Sequence, residues 1–240
     1  MKKLIVVLLL AAAPVLGFAA GGAHLDDADI DVSDQASLQR GARIFVNYCL
    51  SCHSAQYQRY NRTAKDLGLT EEEVRENLMF TTDKFGDTMT IAMSPVDAEA
   101  WFGVAPPDLS VTARARGVDW LYTYLRSFYI DESRPFGVNN IVFPDVGMPH
   151  VLWELQGMQK AVYTEHDGHK VFEKFEQVTP GTMSAAEFDF AMTDLTAFLS
   201  YIGEPIQTER KRIGVWVLSF IAVFFVLAYL LKKEYWKDVH

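Results

Sequence analysis

The sequence predicts a mainly α protein: a helical domain with long ordered loops, followed by one C-terminal transmembrane helix. Three observations carry this expectation. Charge-free apolar runs stand near both ends of the 240-residue chain. Apolar residues between them recur at helical spacing. Only two cysteines occur, both inside Cys49-Leu-Ser-Cys52-His53, which excludes a disulfide scaffold.

The N-terminal run follows Met1-Lys2-Lys3, extends without charge from Leu4 to Ala20 and ends in small residues, Gly17, Ala19, Ala20, Gly21 and Gly22. This is the layout of a secretory signal over residues 1–20, with cleavage after Ala19, Ala20 or Ala23. A retained membrane anchor is the alternative, against which the shortness of the run and its small-residue flank argue. The C-terminal run, Ile213 to Leu231, has 19 uncharged residues. As a helix it measures about 28 Å at ~1.5 Å per residue, close to the ~30 Å hydrocarbon core of a bilayer. Arg210-Lys211-Arg212 and Lys232-Lys233 flank it, with Trp216, Tyr229, Tyr235 and Trp236 near its ends as interface anchors.

Three basic residues precede the span and three follow it, counting Lys237, so flanking charge does not orient it. An exported N-terminus does: residues 21–208 form an extracytoplasmic domain, 209–231 a juxtamembrane segment and span, and 232–240 a cytoplasmic tail. From Ala23 to Thr208 the chain carries 14 basic and 28 acidic side chains, a net charge of −14. Such a field repels nucleic acid and steers cationic partners, although solubility alone accounts for much of it. Asp26, Asp27, Asp29, Asp31 and Asp34 read either as part of that docking field or as a mobile solvated arm.

Within the domain, Leu38, Ala42, Phe45, Cys49 and Cys52 share one helical face and aim both cysteines at one interior. Thr70-Glu71-Glu72-Glu73 is a capping box opening a short helix to about Phe80. Pro106-Pro107-Asp108 suits a helix start, continued from Val111 to Phe128. Ser184-Ala-Ala-Glu187 caps a helix bearing Phe188, Met192, Leu195, Leu199 and Ile202, stopped by Glu204-Pro205. Residues 81–105 and 129–182 read as ordered loop, with a short hairpin near 161–178.

Cys-x-x-Cys-His is the attachment pattern of c-type haem. Two thiols about one turn apart each add to a vinyl group, and the adjacent imidazole is held to ligate iron. A thioredoxin-like site needs a strand before the motif, where a helical stripe stands. Zinc would need two further ligands, improvised from His150, His166 and His169. A chance buried pair or a plain disulfide ignores both the histidine and the export signal.

With His53 on one side of the iron, the sixth ligand lies among Met79, Met89, Met93, Met148, Met158, Met183, Met192 and the free histidines. Met192 sits on the core stripe. Met148 is preferred because Val146-Gly147-Met148-Pro149 holds it in extended backbone beside a restricting proline, with His150 its strongest rival.

The chain resembles the cytochrome c1 family, the membrane-anchored haem subunits of bacterial cytochrome bc1 complexes. The resemblance rests on an ordered set spread over nearly the whole chain. That set comprises the Gly41–Phe45 helix leading into Cys49-Leu-Ser-Cys52-His53, Asn77-Leu-Met-Phe80 with Asp83-Lys-Phe-Gly86, and Pro106-Pro107-Asp108-Leu109-Ser110 with Arg114-Ala-Arg116. Gly147-Met148-Pro149, Glu204-Pro205, Arg210-Lys211-Arg212-Ile-Gly214 and the single span complete it.

The resemblance implies a c-type cytochrome helical domain carrying one haem c, joined through thioethers to Cys49 and Cys52 and ligated by His53 and Met148. Arg116 would meet a haem propionate, with Arg114 its competitor. His150 departs from the family, which commonly has Pro there. Implied partners are cytochrome b, a Rieske iron–sulfur protein as electron donor and a cytochrome c as acceptor. The implied location is the bacterial inner membrane with the haem domain periplasmic. The chain would be the electron-transfer subunit of a respiratory quinol:cytochrome c oxidoreductase, without acid or base catalysis of its own. The alternative is a membrane-anchored monohaem cytochrome serving a terminal oxidase or another reductase.

Overall fold

The computed structural model describes residues 24–166 and 169–238; the expected signal segment lies outside them. Its organising contact is a crossing of two helices, α1 (Gln35–Ile44) and α8 (Ala185–Gly203). Asp34 caps α1 by accepting from the backbone N–H groups of Ala36 and Ser37, which satisfies donors that a helix start leaves orphaned. Leu38, Ala42 and Phe45 face Leu195, Phe198 and Leu199, all buried, and the Phe45 and Phe198 rings lie 5.5 Å apart. Full burial contributes about 1.5–3 kcal/mol for each large apolar side chain.

The crossing is close because Gly41 has no side chain: a Cβ there would lie 2.1 Å from the Asp194 carbonyl oxygen and 2.7 Å from Phe198 Cβ. Beside it the buried Asp194 carboxylate accepts from Ser37 Oγ at 2.6 Å and from Arg40 Nε and Nη2 at 2.6 and 2.9 Å. A carboxylate so far from water needs such partners.

After α1 the chain does not continue as an α-helix. Phe45–Cys49 forms a π-helical turn, and Cys52 falls in the bend beyond it. The two cysteines therefore do not lie on one continuous α-helical face. Then come strand β1 (Ala55–Arg59), helix α2 (Tyr60–Leu67), helix α3 (Glu71–Asn77), the two-residue strand β2 (Thr88–Met89) and helix α4 (Pro95–Phe102). The capping box forms as expected, with Thr70 Oγ1 accepting from Glu73 N–H and the Glu73 carboxylate from Thr70 N–H, although α3 ends before Phe80. Strand β1, α2 and α4 were not anticipated: α4 lies inside the expected 81–105 loop, opened by the Ser94 cap and Pro95 at its first turn.

The helix expected over Val111 to Phe128 is two, α5 (Thr112–Arg116) and α6 (Val118–Arg126), divided by Gly117 at φ 94°. That backbone angle is open to glycine and interrupts the helix. Pro106-Pro107-Asp108 does not begin a helix, because the Asp108 carboxylate is used by the N–H groups of Gln56 and Ser110. Strands β3 (Phe128–Ile130) and β4 (Val138–Asn140), the short helix α7 (Trp153–Gln156) and a long hairpin of β5 (Gly157–His166) and β6 (His169–Pro180) follow. The hairpin exceeds the expected 161–178 span. Three two-stranded antiparallel sheets result among the described residues, and the domain remains mainly helical.

The aspartate-rich N-terminal arm is docked on the domain, although Asp27, Asp29, Asp31 and Asp34 remain exposed. Ala28 is buried, and its N–H donates to Asp119 Oδ1 at 3.1 Å. Asp26 N–H donates to Thr123 Oγ1 at 2.8 Å, and the Asp26 carboxylate accepts from Arg126 Nη1 at 2.6 Å. Arg126 also reaches Asp189 of α8 at 2.7 Å, so arm, α6 and α8 are tied through one guanidinium. Last comes α9 (Gln207–Tyr235), a 29-residue helix with no buried residue, long and apolar enough to cross a membrane.

Candidate haem site

The π-helical turn widens the backbone where the motif begins, ending on Cys49 itself. Such turns inside α-helices are frequent at functional sites. Here it delivers Cys49 into the core while Cys52 remains partly exposed. Both N–H groups that follow, of Cys52 and His53, donate to the Cys49 carbonyl at 3.0 and 2.8 Å, so the five-residue motif is wound about a single oxygen. The two thiols are not bridged. Burial pushes the Cys49 thiol up to about 12, which opposes the low-pKa thiolate a redox dithiol needs.

His53 is buried, and its Nδ1 lies 2.7 Å from the carbonyl oxygen of Pro107. A carbonyl can only accept, so Nδ1 carries the proton and Nε2 keeps its lone pair. Burial holds the imidazole pKa below its ordinary value, outweighing the Pro107 hydrogen bond, which acts in the other direction; the ring is therefore neutral at pH 7. A neutral imidazole with one nitrogen anchored to a backbone oxygen is the usual state of a metal-ligating histidine.

Pro107 can aim its carbonyl because the segment from Pro106 to Ser110 is laced to the residues after the motif. Leu109 N–H donates to the Ser54 carbonyl at 2.8 Å, Gln56 N–H to Asp108 Oδ2 at 2.9 Å, and Tyr57 N–H to Ser110 Oγ at 3.1 Å. Two consecutive prolines, fixed in φ, suit this extended run.

Arg116 ends α5 with its guanidinium carbon 5.0 Å from the Trp120 ring centroid and 5.7 Å from that of Phe143. Among the described residues it has no carboxylate partner within 4.0 Å. Arg114 is engaged differently, 3.8 Å from Glu204 and packed beside Gly203. Trp120 stacks on Tyr124 at 5.0 Å with the rings 10° apart, and the Tyr124 hydroxyl donates to Met148 Sδ at 3.3 Å. Tyr124 packs against both the main core, which contains Cys49, and the smaller cluster of Phe128, Val138 and Val146, against which Met148 rests. One aromatic side chain thus links the core of the cysteine motif to the thioether.

Of the rival methionines, five occupy the same two clusters and Met93 is half-buried. Met79, Met89 and Met192 are buried in the main core, Met183 packs on it at the start of α8, and Met158 rests against the smaller cluster. His150 is buried and stacked on Phe128 at 5.0 Å with the rings 5° apart. Neither ring nitrogen makes a well-formed hydrogen bond, and burial lowers its pKa to about 4 against weak polar contact from Gly157 and Gln156. No group of three or more His, Cys, Asp or Glu side chains among the described residues would hold a metal ion by itself. Two cavities, of about 850 and 680 Å³, involve none of the five expected site residues.

Reading the sequence did not single out the Pro107 carbonyl, Trp120 or the Tyr124 hydroxyl as site groups. A signal existed for part of this: Trp120, Tyr124 and Phe128 stand at i, i+4 and i+8 before Met148.

The residues present fit a c-type haem. Two free thiols, an oriented neutral imidazole and a thioether linked to the same core through Tyr124 are the donor types this group requires.

Residues 27–239 match the profile described as the Cytochrome C1 family. The chain is 55% identical to a cytochrome c1 of Allochromatium vinosum over the whole of both chains. It is 49% identical to a protein of Nitrosomonas europaea named ammonia monooxygenase gamma subunit, covering 100% of this chain and 98% of that one. With the mitochondrial cytochrome c1 heme protein of Saccharomyces cerevisiae it shares 28% identity, covering 86% of this chain and 68% of the other.

Proposed function

Starting from the premise that the chain belongs to the cytochrome c1 family, we propose how its residues serve the electron-transfer role of a haem subunit in a multisubunit bc1 complex. Cys49 and Cys52 would hold the haem covalently, each through a thioether to one vinyl group. His53 Nε2 and Met148 Sδ would be the two protein ligands of its iron. Arg116, without a carboxylate partner among the described residues and resting on Trp120, would pair a propionate. Haem c would supply one-electron iron chemistry when bound, and a soft thioether ligand would favour the reduced state and raise the potential.

The observation that carries the reading is the Nδ1 contact of His53 with Pro107, which fixes the tautomer a ligand needs. We assign the donor to a Rieske iron–sulfur protein, the acceptor to a cytochrome c and the neighbouring membrane subunit to cytochrome b. Residues 21–208 would face the periplasm, with α9 as anchor and residues 232–240 in the cytoplasm of the cell membrane that a 1–20 signal addresses.

The test is haem staining of the full-length protein on a denaturing gel. Wild type is expected to stain, and Cys49→Ala with Cys52→Ala together to lose all stain; stain retained without both thiols would refute the attachment. Co-purification with a cytochrome b and an iron–sulfur protein would support the partners, whereas co-purification with an oxidase or a monooxygenase would replace them.

Charge gives a further expected result. With −14 on residues 23–208, electron transfer to a basic acceptor should slow several-fold as ionic strength rises from about 0.01 to 0.15 M, where the Debye length falls from ~30 to ~8 Å. Stopped-flow oxidation measures this, and a rate indifferent to salt would contradict electrostatic recruitment.

A further inference from the structure

We infer that Tyr124 is a positioning residue that sets the electron demand of the distal thioether. The inference rests on the reading of Met148 as iron ligand and extends it by assigning the group that controls that ligand. The Tyr124 hydroxyl donates to Met148 Sδ at 3.3 Å, its one hydrogen bond among the described residues. A phenol with an ordinary pKa of about 10 keeps its proton throughout the physiological range, so the oxygen is the donor and the sulfur the acceptor.

The ring has little freedom to turn away. Trp120 stacks on one face at 5.0 Å, and Phe128 meets it at 5.2 Å with the planes 70° apart. Backbone and packing also fix the helix behind it. The Tyr124 carbonyl accepts from Asn140 Nδ2 at 2.8 Å, and Arg126 one half-turn on is held by Asp26 and Asp189. A donor locked by its surroundings keeps its geometry when its acceptor takes on a second role.

A thioether sulfur has two lone pairs. With one given to iron, the other remains for the phenol, and the two demands compete for the same electron density. This is the reverse of the familiar histidine case, in which the ligand donates its distal N–H and becomes more basic. Here the ligand accepts, its donor strength falls, and the ferric state, which needs that donation more, loses more stability than the ferrous. Tyr124 therefore raises the reduction potential beyond what thioether ligation alone provides.

The experiment compares full-length, haem-loaded wild type, Tyr124→Phe, Tyr124→Leu and Met148→Leu by equilibrium redox titration and by near-infrared magnetic circular dichroism of the ferric form. Phenylalanine keeps the ring contacts and removes only the hydroxyl. Tyr124→Phe is expected to retain the methionine-to-iron charge-transfer band, shifted in energy. Its reduction equilibrium is expected to fall about threefold to tenfold, the range of a net hydrogen bond. At ~59 mV per decade for one electron, that is roughly 30–60 mV. A purely packing role would leave Tyr124→Phe like wild type and perturb only Tyr124→Leu. That pattern, with the band present in wild type, overturns the inference and spares the ligand assignment. Absence of the band from wild type overturns both.

Discussion

Replacing Met148 by leucine is expected to lower the reduction potential by hundreds of millivolts, a large share of the ~0.8 V range that axial ligation commands in haem proteins. The physical reason is the loss of the soft donor that stabilises ferrous iron. Leucine is close to methionine in volume and apolar, so the small cluster of Phe128, Val138 and Val146 is expected to tolerate it at under about 1.5 kcal/mol. The phenol of Tyr124 would lose its acceptor, and iron would be left five-coordinate or captured by water or another side chain. Optical redox titration of the full-length variant measures the effect. A potential within about 30 mV of wild type, half a decade at ~59 mV per tenfold, would mean that another residue fills the position. His150, buried with no well-formed hydrogen bond on either nitrogen, is then the first to test.

Gly41→Ala is expected to destabilise the crossing of α1 and α8 strongly. Its Cβ would stand 2.1 Å from the Asp194 carbonyl oxygen and 2.7 Å from Phe198 Cβ. Both neighbours belong to a helix backbone or the root of a side chain, so neither can swing aside. Helices α1 and α8 must part, loosening Phe45 against Phe198 and stretching the hydrogen bonds from Ser37 and Arg40 to the buried Asp194. Overpacking of a tight core costs about 1–3 kcal/mol, and the polar contacts add to it. At roughly 2–4 °C per kcal/mol for a domain of this size, thermal unfolding should come at least several degrees earlier. Near-UV circular dichroism during heating follows the loss of the packed aromatic core. An unchanged midpoint would mean that the crossing is looser than described.

Most of the helical framework was legible before any coordinates, and the reasons are local. Capping boxes at Thr70 and Ser184 declare themselves within four residues, and both form. The α8 stripe of Phe188, Met192, Leu195, Leu199 and Ile202 is buried throughout. The C-terminal span is a matter of length and hydropathy. At the candidate site, the cysteines and histidine stand out by the spacing that haem attachment would impose, whereas the proposal of Met148 rests on its backbone setting and on family resemblance.

What escaped depends on contacts between distant segments. Asp108 looked like the start of a helix, but its carboxylate is used by Gln56 and Ser110, a choice made across 52 residues. Periodicity cannot distinguish a π-helical turn from a continued α-helix, so the placement of Cys52 was misread. The aspartate arm looked free because acidic composition suggests solvation; Arg126, Thr123 and Asp119 bind it instead. The Pro107 carbonyl could not be found by residue type at all, since every residue has one and only the fold aims this one at His53.

The central claim is that His53 and Met148 together hold the iron of one covalently attached haem. Near-infrared magnetic circular dichroism of the oxidised, full-length wild-type protein tests it most directly. A low-spin ferric spectrum with the charge-transfer band of methionine-to-iron ligation is expected. A spectrum of two imidazole ligands, or of high-spin iron with an open position, would contradict it.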